Sequence, residues 1–441
     1  MNVAIINIGD ELLIGQVVNT NAAHMSQLLT AAGMDVTNVE TIGDDGNAIR
    51  SGICHALTTA DAVICTGGLG PTKDDITKNV LMHLFGGELV ENKEQLSIIE
   101  SIFAKRGYTV TEVNRQQSWT PSSCTTIPNP IGTAPAMWFE VSKGKYRATD
   151  ENVTQVVISA PGVPFEVLNL MKTEIIPRLQ QHFCTQFILT KNILTQGIGE
   201  SFLSDLIEKW ELALPSNVKL AYLPQAGMTK LRLTARGNDR NKLSWQLHVA
   251  TQYLYPIAGK YIVAEDCETL AEAVSQVFRK RKLTLATAES CTGGYIASQL
   301  TQLAGASEYF KGGMVSYCNE TKQLTLGVKD ETLNLYTAVS SEAACEMAEG
   351  VRTRLHSDYS IATTGVAGPT GDTQNTPVGT VWIAIATPHG TQTHLGHFGG
   401  NDRLRVIERA TNEAFHLLIS QVAGNKEKIP ILSDKAPSFK Y

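Results

Sequence analysis

No run of apolar residues in the 441-residue chain is long enough to span a bilayer, and no basic start leads into an apolar core. A transmembrane helix and a secretory signal are therefore not expected. Charge of one sign is also lacking: 37 Lys+Arg stand against 43 Asp+Glu, a net charge of −6, which gives no overall attraction to nucleic acid or to an anionic membrane. The eight cysteines (54, 65, 124, 184, 267, 291, 318, 345) include no C-x-x-C pair and no Cys/His cluster of zinc spacing. Several lie inside apolar runs, as reduced thiols do, so a cytoplasmic setting is expected. What is present, 43% hydrophobic and 18% charged residues, describes a globular chain with ample core. Its length calls for two or three domains.

The stretch around which the chain is organised is Leu283–Gly294, LTLATAESCTGG. An apolar, β-branched run reads as a buried strand, and YIASQLTQLAG after it has helical spacing. Between them, Ser290-Cys291-Thr292-Gly293-Gly294 puts hydroxyls and glycines at a strand-to-helix turn. Such a turn offers backbone N–H groups to a ligand. The plainer reading makes Ser290 or Thr292 an N-cap.

In the first part of the chain, VAIINIG, MDVTNVETIG and DAVICTGG read as strands alternating with helices, hence a parallel sheet with ligands beyond its carboxyl edge. Two loops there carry chemistry. Gly9-Asp10-Glu11 opens the first, which leads to Asn19-Thr20-Asn21. The second holds Gly67, Gly68, Gly70, Thr72, Lys73, Asp74 and Asp75. Glycine-rich turns expose N–H groups to phosphate oxygens, and lysine adds charge. Adjacent Asp74 and Asp75 suit a Mg²⁺-type site bridging to a diphosphate, or merely decorate a first helical turn. The middle reads as strand, helix, a hairpin over VKLAYLPQAGMTKLRLTARG, and a closing helix and strand. EIIPRLQQHF, before it, either closes the first domain or leads away from it.

In the last third, the histidines (356, 389, 394, 397, 416) lie in helices or near a strand edge, away from the glycine-rich turns. That disfavours a Ser-His-Asp mechanism. Lysine remains as a base, and Lys322 serves if burial lowers its pKa; otherwise it is a solvated helix lysine. Tyr317 is placed to orient either group or relay a proton. Cys291 is a rival nucleophile to Ser290.

GDELLIG, TGGLGPTKDDIT, Asn114, Gln117, Pro121, Asn129, Gly132-Thr133-Ala134-Pro135 and Pro161-Gly162-Val163-Pro164 resemble, in order, the molybdopterin-binding fold of the CinA family. GIGES and LPQAG resemble that family's KH-like connector. ESCTGG, SYCNETK, TTGVAGPTGD, PVGTVW and GGNDR resemble its C-terminal nicotinamide-nucleotide amidase of the PncC type. The resemblance implies an α/β multidomain chain. Residues 1–171 would form a doubly wound molybdopterin-binding-like domain, 172–266 a small α+β KH-like connector, 267–421 an α/β amidase domain, and 422–441 a tail.

The implied activity is conversion of nicotinamide mononucleotide and water to nicotinate mononucleotide and ammonia, in pyridine nucleotide salvage. Ser290 would be the nucleophile and Lys322 and Tyr317 its activating partners. Thr292, Gly293, Gly294, Thr364, Gly365 and Arg403 would contact substrate, with the oxyanion held by N–H groups near Cys291–Gly294 and no cofactor required. For the first domain the resemblance implies an ADP-ribose pyrophosphatase using a divalent metal (Mg, Mn or Co), with potassium as a further ion. There Asp44, Asp74 and Asp75 would hold the metal, and Gly9, Asp10, Glu11, Gly67, Gly68, Gly70, Thr72, Lys73 and Thr133 the nucleotide. The family usually has glycine after GTAP where this chain has Ala136. If that glycine admits a ligand to the backbone, alanine weakens the site. A homodimer is the default expectation.

Two other readings stand beside this one. The first domain's fold alone suggests an enzyme of pterin or molybdenum cofactor metabolism. The family's name and the KH-like middle suggest a nucleic-acid-associated competence factor. The acidic balance and the absence of a G-x-x-G loop disfavour the latter.

Overall fold

The structure, a computed structural model, describes residues 1–72, 74–141, 146, 154–183, 187–374, 376–399 and 402–423. Lys73 and the end of the tail from 424 lie outside the described residues, as do Gly400 and Asn401 of GGNDR. The chain divides into two compact units, one of Met1–Leu189 with Arg236–Leu243, the other of Thr190–Ala235 with Ser244 onward. No helix among the described residues is long and apolar enough to cross a membrane.

In the first unit a six-stranded sheet runs in the order 35–42, 2–8, 62–66, 155–160, 136–141, 125–127. The first four strands are parallel. Strand 136–141 is antiparallel to both its neighbours, 155–160 and 125–127, which differs from the all-parallel expectation. No helix intervenes between the strands 125–127 and 136–141, and a pair without a crossover helix turns back on itself.

Helices cover both faces. Met25, Leu29, Val167, Leu170 and Leu179 pack on one face, and Ile49, Ile53 and Leu81 on the other. Leu179 belongs to EIIPRLQQHF, and with Ile175 it is fully buried in the first core. That helix therefore closes the first unit instead of leading away, and a boundary at 171 would separate it from the core it completes. Strand 2–8 has the strands that follow it in sequence on either side, so the loops after 8, 42 and 66 gather where the strand order reverses.

The second unit begins with a four-stranded sheet, order 218–225, 228–237, 187–196, 262–265, carrying the helices Glu200–Leu212 and Arg240–Ala258. The expected hairpin turns at Ala226-Gly227, with Gln225 paired to Met228. Leu194 and Met228 share a core with Leu270, Ile296 and Phe415 of the last third. Packing is continuous across the chain division expected at 266.

The last third holds a five-stranded sheet, order 310–315, 285–289, 359–365, 380–387, 390–397, of which the first three strands are parallel. Leu270, Val274, Phe278, Ile296, Leu300, Val406 and Leu418 line one face, and Leu326, Leu333, Ala344, Met347 and Val351 the other. At Gly350, inside the helix Ser341–Arg354, a Cβ would lie 2.0 Å from the carbonyl oxygen of Leu326. The helix consequently meets the turn Lys322–Leu326 backbone to backbone, which a side chain at 350 would forbid.

Candidate active site

Ser290 follows the last residue of the strand 285–289, and its N–H donates to the carbonyl of Thr363 on the neighbouring parallel strand at 3.0 Å. The strand 310–315 flanks the other side, and its chain continues through Ser316 and Tyr317 into a π-helical turn, Lys322–Leu326. Parallel pairing thus closes the sequence separation of thirty-two positions from Ser290 to Lys322. Lys322 Nζ lies 3.0 Å from Ser290 Oγ and donates to the carbonyls of Ser316 at 3.0 Å and Tyr317 at 3.3 Å. Lys322 is only 2% exposed, and burial holds its ammonium below the ordinary lysine range. The reading of Lys322 as a solvated helix lysine is excluded by this burial.

Cys291 is buried next door, and burial pushes its thiol up to about 12, against the pull of the Lys322 and Arg403 charges. Such a thiol holds no appreciable thiolate near neutrality. Neither Ser290 nor Thr292 caps the following helix Tyr295–Thr301, whose N-cap is Gly294 at φ 96°. The carboxylate of Glu289 takes that place. Its Oε2 accepts from Thr292 Oγ1 at 2.7 Å and from the amides of Gly294 and Ile296 at 3.0 Å each. Its Oε1 accepts from Ala297 N at 2.8 Å. Glu289 opens the ESCTGG segment, but a glutamate ending a strand carries no spacing signal of this role.

Several expected substrate contacts have other roles. The Thr292 hydroxyl is held between Glu289 and Thr363 Oγ1, the latter at 2.7 Å. Gly293 N–H donates to the Ser290 carbonyl, and Gly294 N–H to Glu289, so neither amide is free for an oxyanion. Neither a carbonyl nor a carboxylate accepts from the amides of Cys291 and Thr292 among the described residues. Thr364 is buried with its hydroxyl donated to the Ala338 carbonyl at 2.6 Å, and Gly365 is paired in the sheet with Val381. The Tyr317 phenol accepts from Arg403 Nη2 at 2.8 Å, while Arg403 Nη1 donates to the Gly368 carbonyl at 2.7 Å. Tyr317 therefore meets Lys322 through its carbonyl only, and its hydroxyl belongs with the arginine.

In the first unit, a cavity of about 580 Å³ opens at the carboxyl edge of the sheet. Gly9, Asp10, Glu11, Asp44, Gly67, Gly68, Gly70, Thr72, Asp74 and Asp75 all line it. Thr133 does not: its carbonyl accepts from Gln95 Nε2 at 3.1 Å in a network with Asn129. Asn7, a polar residue at the end of an apolar strand, lines the cavity as well, and its Oδ1 is buried without a partner. The Asn21 Oδ1 is likewise orphaned.

Burial, reinforced by Asp10, Glu11 and Asp75, raises the Asp44 carboxyl above its usual range, although the Asp10 amide opposes this with a hydrogen bond at 3.1 Å. The acid-rich part of the lining suits a hard cation in charge. The ligand geometry is not closed, however. Asp75 is turned onto the Thr72 amide and hydroxyl, at 2.8 and 2.6 Å, and among the described residues no three acidic, His or Cys side chains come together to hold a metal. Asp44, Asp74 and Asp75 thus share one cavity without forming, among the described residues, a three-carboxylate ligand set.

Ala136 sits on the strand 136–141 with its side chain in the core beside Ile127 and Trp138, outside the cavity lining. The substitution for glycine therefore does not bear on ligand approach there. Ala136→Gly is expected to leave ligand affinity at the cavity unchanged and to lower stability by about 1–2 kcal/mol through the lost methyl and the freer unfolded backbone. Urea denaturation beside ligand titration checks both halves.

A doubly wound domain with an acid-lined cavity, an α+β connector and an α/β domain with a buried Ser–Lys pair define a multidomain α/β protein of three family segments. Residues 4–181 match the family described as "Probable molybdopterin binding domain", 190–264 "Damage-inducible protein CinA KH domain", and 267–422 "CinA C-terminal domain". A CinA-like protein of Flavobacterium psychrophilum is 42% identical over 433 residues, covering 97% of this chain and 100% of the relative. Another from Cytophaga hutchinsonii is 41% identical, covering 87% and 89%. The competence/damage inducible protein CihA of Agrobacterium tumefaciens, a solved structure, is 36% identical over 35% of this chain and 94% of its own, with a TM-score of 0.34. The chain belongs to the CinA family.

Proposed function

We propose that the C-terminal domain hydrolyses the carboxamide of nicotinamide mononucleotide, giving nicotinate mononucleotide and ammonia, with Ser290 as nucleophile and Lys322 as base. The observation that carries the reading is the 3.0 Å approach of a buried, pKa-lowered Lys322 amine to Ser290 Oγ. With Nζ neutral, its two hydrogens go to the carbonyls of Ser316 and Tyr317, and its lone pair accepts the Ser290 proton.

Ser290 Oγ then forms a bond to the carboxamide carbon, and the carbonyl π pair moves onto oxygen. The amides of Cys291 and Thr292 are the donors for that oxyanion. Its collapse breaks the C–N bond, and Lys322 returns the proton to the departing nitrogen, releasing ammonia and leaving an acyl-Ser290 ester. Water, deprotonated by the same lysine, cleaves the ester and restores both groups. Arg403, fixed by Tyr317 and Gly368, supplies a positive charge for the phosphate. Ammonia release from nicotinamide mononucleotide by the purified full chain in EDTA tests the reading, and no release would refute it.

For the first unit we propose a nucleotide diphosphate ligand of the ADP-ribose type, accompanied by a divalent cation. The supporting observation is a cavity that joins the carboxylates of Asp10, Glu11, Asp44, Asp74 and Asp75 to the glycine-rich loop and to the orphaned amide oxygens of Asn7 and Asn21. Calorimetric titration with ADP-ribose is expected to show binding in the presence of Mn²⁺ and none in EDTA. Asp44→Ala is expected to weaken it at least about tenfold. Equal affinity with and without metal would refute the cation.

A further inference from the structure

We infer that Glu289 is the positioning residue of the amidase site: its buried carboxylate fixes the turn so that the Cys291 and Thr292 amides remain the oxyanion donors. This rests on the assignment of Ser290 as nucleophile. Glu289 is 1% exposed, and every group hydrogen-bonded to its carboxylate is a donor. They are the Thr292 hydroxyl and the amides of Gly294, Ile296 and Ala297. Because Thr292 donates to Glu289, the Thr363 hydroxyl must donate to Thr292. A chain of oriented hydroxyls thus ties the turn to the strand whose carbonyl receives the Ser290 amide.

The consequence is selective. The carboxylate draws inward the amides of Gly294, Ile296 and Ala297, which would otherwise attract an anion to the start of the helix. Gly293 N–H closes on the Ser290 carbonyl and Tyr295 N–H on the Thr292 carbonyl. Of the amides from 290 to 297, those of Cys291 and Thr292 are left with neither a carbonyl nor a carboxylate acceptor among the described residues. They are the two that directly follow the nucleophile. An anion in front of the turn is directed to them, one or two residues from Ser290 Oγ, and not to the helix end.

Only an ionised carboxylate accepts from all four donors without presenting a hydrogen to any of them. Glutamine keeps the size and turns an NH₂ group against at least one amide, leaving that amide buried and unpaired. The turn then relaxes, and donors aimed at a developing oxyanion lose alignment where alignment matters most.

The test uses the full chain with Glu289→Gln, Glu289→Asp and Thr292→Val. Each is assayed for kcat and KM on nicotinamide mononucleotide, for the rate at which a fluorophosphonate labels Ser290, and for thermal midpoint. Glu289→Gln is expected to lower kcat about 100-fold with KM within about threefold, and to slow labelling in parallel. Glu289→Asp, which keeps the charge, is expected to recover at least about tenfold of that loss. Thr292→Val, which removes one donor and keeps the shape, is expected to lower kcat about tenfold, and it decides the question if the glutamine variant does not fold.

A folded Glu289→Gln with wild-type turnover and labelling would overturn the inference. So would a loss confined to KM, or a loss that Glu289→Asp does not relieve. The labelling comparison does not depend on the natural substrate. If the wild type labels at Ser290 but releases no ammonia from nicotinamide mononucleotide, the substrate assignment falls, and the labelling rates still decide the role of Glu289.

Discussion

Ser290→Ala is expected to reduce ammonia release from nicotinamide mononucleotide by at least about 10⁴-fold, while Cys291→Ala retains activity within about threefold. The contrast follows from two neighbouring side chains in opposite electrostatic situations. Ser290 has the Lys322 amine 3.0 Å away, and in the proposed mechanism that amine takes its proton as the bond to carbon forms. Cys291, intrinsically the stronger nucleophile, has its thiol pushed up to about 12 by burial, so it holds its proton at neutral pH. Mass spectrometry of enzyme quenched during turnover is expected to find the nicotinoyl group as an ester on Ser290. Activity that survives Ser290→Ala and vanishes in Cys291→Ala would reverse the assignment.

The second large effect is expected at Lys322. Lys322→Met keeps the length and removes the amine, and it should lower kcat by about 10²–10⁴-fold with little change in KM. The wild-type rate should also carry the lysine's titration. Burial disfavours the charged amine, so its pKa lies below the usual lysine value. In the proposed mechanism the neutral amine is the base. Activity is therefore present above that lowered pKa and lost as pH falls through it, and the acid limb of kcat against pH should lie below the range of an exposed lysine. A profile in which the acid limb is unchanged in Lys322→Met would sink the assignment. So would a wild-type rate that rises only in the range of an unperturbed lysine.

Both units were legible where function is written locally. The strand-turn-helix at 285–301 and the glycine- and acid-rich loops after 8 and 66 have spacing signals, and each stands where the strand order brings loops together. What could not be read was direction. Tyr317 and Lys322 are the partners that the family resemblance implies for Ser290, yet the chain turns so that tyrosine offers lysine its carbonyl and sends its phenol to Arg403. Thr364 carries a hydroxyl beside a glycine loop, but a carbonyl twenty-six residues away, at Ala338, claims it. Asp74 and Asp75 are adjacent, and adjacency in a turn separates side chains more often than it gathers them; Asp75 closes on Thr72 instead. Glu289 left no mark because its four donors lie three to eight residues ahead in a conformation that only the folded turn defines.

Gly350 has no chemistry of its own, and it sets a tolerance for the turn that carries Lys322. The backbone of its helix stops against the Leu326 carbonyl, at the far end of the short turn whose first residue is Lys322. Even a methyl group there would wedge helix and turn apart. An amine held 3.0 Å from its hydroxyl has little slack. The placement of Lys322 is thus tied to the bareness of a glycine twenty-eight positions downstream.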